Sequence, residues 1–159
     1  MVINIISGTL THLQACNDAY VNSRLGQVYS PPEELFKSRL AEGINKGHIF
    51  VAVNEDHQCL GFIWIELRGV FNQFPYCKLL AVKEQFRSQG IGTALLNYFE
   101  RVSFSKATKT FILVSDFNQR AHQLYKRLGY TDVGLIPNLF QEGVSEHMLM
   151  KLKPEKDVT

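Results

Sequence analysis

The hydrophobic period of this chain switches at Gly47, and that switch removes most architectures from consideration. From residue 48 to 82 the apolar residues follow a period of two. His48 to Val53 is apolar and β-branched, and 54–57 reads as a turn. In 60–68, Ile63, Ile65 and Leu67 share one face while Phe62, Trp64, Glu66 and Arg68 share the other. A further strand over 74–82 completes an antiparallel meander. Before the switch, 2–7 reads as a strand. A short helix over 11–20 opens with Thr11 and Gln14 in capping-box spacing, and 22–29 is polar and loop-like. Ser30-Pro31-Pro32-Glu33 then opens a helix, with Ser30 as the cap and Leu35, Phe36, Leu40 and Ile44 on its apolar face.

After the meander the elements alternate. Residues 90–104 form a helix striped by Ile91, Ala94, Leu95, Tyr98 and Val102, and 111–115 form a strand. Helix 118–128 presents Ala121, Leu124, Tyr125 and Leu128 and stops at Gly129. Strands over 130–136 and 145–152 follow. A meander followed by alternation implies a mixed sheet with helices on both faces.

With 159 residues the chain is long enough for one core, assigned to 1–153, with a charged tail over 154–159 expected to fray. Its 45% apolar and 20% charged residues exclude disorder, and no apolar run reaches the ~18 residues of a membrane span. The first residues read as a strand with no signal peptide, so a cytoplasmic setting without membrane partners is expected. Lys and Arg total 17 against 15 acidic residues, a net charge of +2 with the bases scattered. A nucleic-acid partner, which needs a basic stripe, is therefore not expected. Cys16, Cys59 and Cys77 are odd in number and far apart, and the five histidines lack ligand spacing. Neither a disulfide framework nor a metal site is expected.

The segment Leu79-Leu80-Ala81-Val82-Lys83-Glu84-Gln85-Phe86-Arg87-Ser88-Gln89-Gly90-Ile91-Gly92-Thr93 carries the chemistry. A strand enters a loop with an arginine, and a helix starts at paired glycines. Unpartnered N–H groups and the macrodipole make a helix start attractive to anions, and glycines let a bulky anion approach. The spacing suits a phosphate or pyrophosphate. No Gly-Lys-Ser/Thr exists for a Walker A loop, and Leu95 stands where the dinucleotide fingerprint needs its third glycine.

Arg-x-x-Gly-x-Gly after a strand ending Leu-Ala-Val resembles motif A of the Gcn5-related N-acetyltransferase (GNAT) superfamily. So does Asn118-x-x-Ala121-x-x-x-Tyr125, ending in Gly129-Tyr130, about 25 residues on. The resemblance covers the whole chain in element order and is motif-specific over 79–130, like a single-domain bacterial member. It implies an α/β (α+β) GNAT fold: a central mixed, mostly antiparallel sheet of about seven strands with helices on both faces. It implies acetyl-CoA as co-substrate, no metal, and acetyl transfer to a primary amine of a small metabolite or peptide by direct attack. Leu80, Ala81 and Val82 would offer backbone groups to the pantetheine and the oxyanion. The N–H groups of Ser88, Gln89, Gly90, Ile91, Gly92 and Thr93 would hold the pyrophosphate, with Arg87 adding charge. Asn118 would bond the pantetheine arm, Ala121 would leave it room, and Tyr125 would protonate the departing thiolate.

Many relatives place a glutamate four residues before the valine ending the motif A strand; here that position is Lys78. Glu66 is ranked first as the replacement base, with Glu146, His147 and water as alternatives. The rival reading is a non-catalytic CoA-binding sensor or scaffold. Small members often dimerise through their last strands, which leaves a homodimer open.

Overall fold

The alternating stretch forms strands, and these lie inside one seven-stranded sheet. The computed structural model describes residues 1–156; the end of the expected tail, 157–159, lies outside them. The strands are β1 (Asn4–Ser7), β2 (Ile49–Val53), β3 (Cys59–Val70), β4 (Phe74–Val82), β5 (Lys109–Ser115), β6 (Thr131–Pro137) and β7 (Ser145–Leu152). Their order is β1-β2-β3-β4-β5-β7-β6, and β1–β2, β2–β3, β5–β7 and β6–β7 pair antiparallel. The helices are α1 (Leu13–Val21), α2 (Arg24–Tyr29), α3 (Glu33–Asn45), α4 (Ile91–Phe104) and α5 (Gln119–Arg127).

The chain groups into two compact units, Met1–Glu66 with Cys77–Phe99, and Leu67–Tyr76 with the residues from Glu100 onward. In the first, α1 and α3 set Cys16, Ala19, Tyr20, Phe36, Leu40 and Ile44 against Val51, Phe62 and Trp64. Tyr20 and Phe36 stack with centroids 4.3 Å apart. Phe50 points to the opposite face and meets Tyr98 of α4 at 4.9 Å. Covering both faces explains why β3 is buried continuously from Cys59 to Ile65 instead of alternating.

Gly61 marks a close approach. A Cβ there would stand 2.6 Å from the Ala81 carbonyl oxygen and 3.0 Å from Val82 Cα, both backbone atoms that cannot rotate away. Gly61→Ala is therefore expected to destabilise the protein by about 2 kcal/mol, read as a lower denaturation midpoint. A wild-type midpoint would show that the two strands separate at no cost.

In the second unit β7 is paired on both edges, with β5 and with β6. Phe74 and Phe111 pack at 5.7 Å, and the Thr110 hydroxyl donates to the Pro75 carbonyl at 3.3 Å.

The N-terminal third corrects four sequence expectations. Residues 10–12 form a 3-10 turn before α1, and its capping partners are Thr9 and His12, whose Nδ1 accepts from the Thr9 N–H at 3.0 Å. Gln14 instead donates to Asp18, one helical turn on. The expected loop over 22–29 contains α2, capped by Ser23, whose Oγ accepts from the Gly26 N–H at 3.1 Å. Ser30 is the C-cap of α2 at φ 39 and does not cap α3, which follows Pro32 without a side-chain cap. Leu35 is 46% exposed, so the buried face of α3 is Phe36, Leu40, Gly43 and Ile44.

Candidate active site

The loop after β4 makes a 3-10 turn at Glu84–Phe86, then passes Arg87 into α4. Ser88 has φ 62 and Gly90 φ 83, so two left-handed residues flank Gln89. Such alternation turns successive N–H groups toward one concave side, an anion-binding arrangement. The first bond of the helix runs from the Ala94 N–H to the Gly90 carbonyl at 3.0 Å. The N–H groups of Ile91, Gly92 and Thr93 therefore point out of the helix end.

The two glycines serve different needs. Gly90 is required by its backbone angle. Gly92 has no positive φ, and a Cβ there would find its nearest neighbour, Leu80 Cδ2, at 3.9 Å. Packing thus places no demand for glycine at 92. A ligand lying against that backbone would.

Arg87 is tied into the protein. Its Nε donates to the Val82 carbonyl at 3.2 Å and its Nη2 to the Asn22 carbonyl at 2.9 Å, clasping the loop to the end of β4 and the end of α1. Nearby, Asp18, Asn22, Lys83, Glu84 and Gln85 line an open cleft of about 210 Å³. Its two carboxylates make it a poor cradle for a diphosphate.

Glu66 is held by two donors: Trp64 Nε1 at 2.9 Å and, in the Nδ1–H tautomer, His48 Nδ1 at 3.2 Å. His48 enters here without any sequence motif, because only the β2–β3 register places it beside residue 66. Lys78 lies with its Nζ 4.3 Å from the Trp64 ring centroid. Trp64 is 5% exposed, and its ring fills the space where a Cβ on Gly43 would fall, so it packs the core.

In the second unit, Asn118 is the N-cap residue of α5, yet its side chain makes no capping hydrogen bond. Its amide is therefore not spent on the helix end. Asn118, Ala121 and Tyr125 follow at i, i+3 and i+7 along one side of the helix. Tyr125 is buried, its ring edge-on to Tyr130 at 6.2 Å. Glu146, one of the alternative bases, is buried at 2% exposure and accepts from the Ser115 hydroxyl at 2.7 Å. His147, its neighbour on β7, points to the opposite face.

Cys16, Cys59 and Cys77 are free and buried. Burial pushes the Cys77 thiol up to about 12, so it stays protonated. A thiol held in that form is not a thiolate nucleophile.

Comparison with known proteins gives a consistent result. The model of the acetyltransferase (GNAT) family matches residues 13–130. An uncharacterized N-acetyltransferase of Methanocaldococcus jannaschii is 39% identical over 77 residues, 47% of this chain and 49% of that protein. An N-alpha-acetyltransferase of Sulfurisphaera tokodaii is 27% identical over 111 residues, 63% of this chain and 66% of that one. A GNAT-family acetyltransferase structure from Bacillus cereus superimposes with a TM-score of 0.79 at 19% identity, covering 98% of this chain and all of that one. The last likeness concerns the fold. The chain spans about half the length of the first of these sequence relatives.

Proposed function

Since the chain belongs to the GNAT acetyltransferase family, we propose that it moves the acetyl group of acetyl-CoA to a primary amine of a small metabolite or peptide. The observation that carries this reading is the helix start at α4: two left-handed residues, outward N–H groups, and a glycine at 92 that packing does not require. These residues fit a diphosphate. Bound there, acetyl-CoA supplies an activated acyl carbon and a thiol leaving group.

The protein's own groups do the rest. The N–H groups of Ser88 to Thr93 hold the diphosphate, and Arg87 adds positive charge while clasping the loop. Backbone groups of Leu80, Ala81 and Val82 receive the pantetheine arm, and an N–H of this stretch donates to the carbonyl oxygen as negative charge develops. Asn118 bonds the arm and Ala121 leaves it space. As the amine nitrogen attacks, the C–N bond forms and the C–S bond breaks. Tyr125 gives its phenolic proton to the sulfur, and Glu66, oriented by Trp64 and His48, takes the proton the amine sheds. Glu66→Gln is expected to flatten the rise of turnover with pH, measured as a kcat profile; an unaltered profile would transfer the base to water, to Glu146 or to His147.

Lys78, where relatives carry an acid, keeps a second reading in view: a CoA-binding sensor without turnover. Thiol release from acetyl-CoA, followed across amines of several chemical classes, decides. Release with any amine supports the transferase. Calorimetric binding with no release from any amine supports the sensor. Among the described residues, no helix is long and apolar enough to cross a membrane, and a reducing cytoplasm suits the three free thiols. We expect neither a nucleic-acid nor a membrane partner, and the last strands leave a homodimer open.

A further inference from the structure

His122 of α5, Asp132 of β6 and His147 of β7 come from three elements and have no motif spacing, yet they converge. The register explains how. Asp132 lies opposite Leu149 and Leu135 opposite His147, with a slip between Asp132 and Gly134. Cross-strand partners share a face, and Leu149 and His147 are two residues apart on one strand. Asp132 and His147 therefore project to the same side, and His122 reaches them from the helix. His122 Nε2 stands 2.7 Å from Asp132 Oδ1, and His147 Nδ1 stands 3.8 Å from that same oxygen. The imidazole centroids are 4.5 Å apart with planes inclined by 35°. All three prospective ligand atoms fall within 4.8 Å of one another.

We propose that His122, Asp132 and His147 bind a divalent transition-metal ion of the zinc class. Two imidazole nitrogens and one carboxylate oxygen are a borderline-soft donor set, which suits zinc, nickel or copper and not magnesium or calcium. Bonds of about 2.0–2.1 Å in a tetrahedron put ligand atoms about 3.3 Å apart, so small side-chain rotations close the triangle. The side chains are 21%, 36% and 31% exposed, which permits those rotations and leaves a fourth position to water. The carboxylate is ionised: its partial desolvation opposes this, and the hydrogen bonds and charges of His122 and Lys126 outweigh it.

Lys126 is the element that works against an ion. Its Nζ lies 3.4 Å from Asp132 Oδ2, the oxygen turned away from the histidines, and its side chain is 57% exposed. An arriving cation displaces it into solvent at the cost of one exposed ion pair, worth little. Because α5 also carries Tyr125, an ion here would pin that helix to the β6–β7 pair. The site does not rest on the transferase reading, since none of its three ligands takes a part in the acetyl transfer described above.

Calorimetric titration of the chelator-stripped protein with zinc chloride tests this. One ion per chain is expected at micromolar affinity. The His122→Ala/His147→Ala double variant should lose that ion, and Asp132→Asn, which keeps the shape, should weaken it at least ~10-fold. Lys126→Gln should tighten binding by removing the competing charge. His57→Ala, in an exposed turn, should leave it unchanged. No saturable heat with the wild type, or the same stoichiometry and affinity in Asp132→Asn, would overturn the proposal and leave a hydrogen-bonded His–Asp–His cluster.

Discussion

Gly92→Asp should abolish acetyl-CoA binding and leave the protein at least as stable as before. The substitution separates fold from function because the two respond with opposite sign. Residue 92 is the second of α4, where an acidic side chain interacts favourably with the helix dipole by about 0.3–1 kcal/mol. No neighbour stands closer than 3.9 Å to the new Cβ, so nothing is displaced. A diphosphate on the same N–H groups would instead meet a carboxylate at ~5 Å. At an effective dielectric of ~20 this costs about 3 kcal/mol, more than 100-fold in affinity. Calorimetry with acetyl-CoA and a thermal melt read both effects. Wild-type affinity in this variant would remove the diphosphate from the α4 helix start.

Tyr125→Phe is expected to lower kcat by ~10²-fold while leaving the KM for acetyl-CoA and the melting temperature near wild type. The ring is buried and packs edge-on against Tyr130, contacts that phenylalanine retains. What the reaction loses is the proton donor. The factor is modest because a phenol of pKa ~10 facing a thiol near ~8.5 is not a strongly driven pair. Unchanged kcat would leave Tyr125 as a core aromatic.

Much of this protein was legible in its sequence, and the pattern of success has a physical cause. From β2 to β7 the elements fall within a few residues of where periodicity places them, because each buries an apolar face long enough to show its period. The errors cluster in residues 9–35, where elements are short and caps decide the outcome. Ser30-Pro31-Pro32-Glu33 has the composition of a helix cap, yet Ser30 closes α2 in a left-handed conformation. Ser23, which does cap a helix, sits before a six-residue element too short to display a stripe.

The candidate site divides in the same way. The loop from Arg87 to Thr93 and the row Asn118, Ala121, Tyr125 are local in sequence, so their spacing alone determines which backbone groups and side chains they present. Partnerships formed across strands were hidden. That His48 braces Glu66 and that His122, Asp132 and His147 meet depends on how the strands align, the latter with a slip in the β6–β7 ladder, and that Arg87 clasps Asn22 depends on how its loop packs on the end of α1. A helix start is written in adjacent residues, whereas cross-strand neighbours are set by where separate strands settle against each other. That second kind of information exists only once the chain has packed.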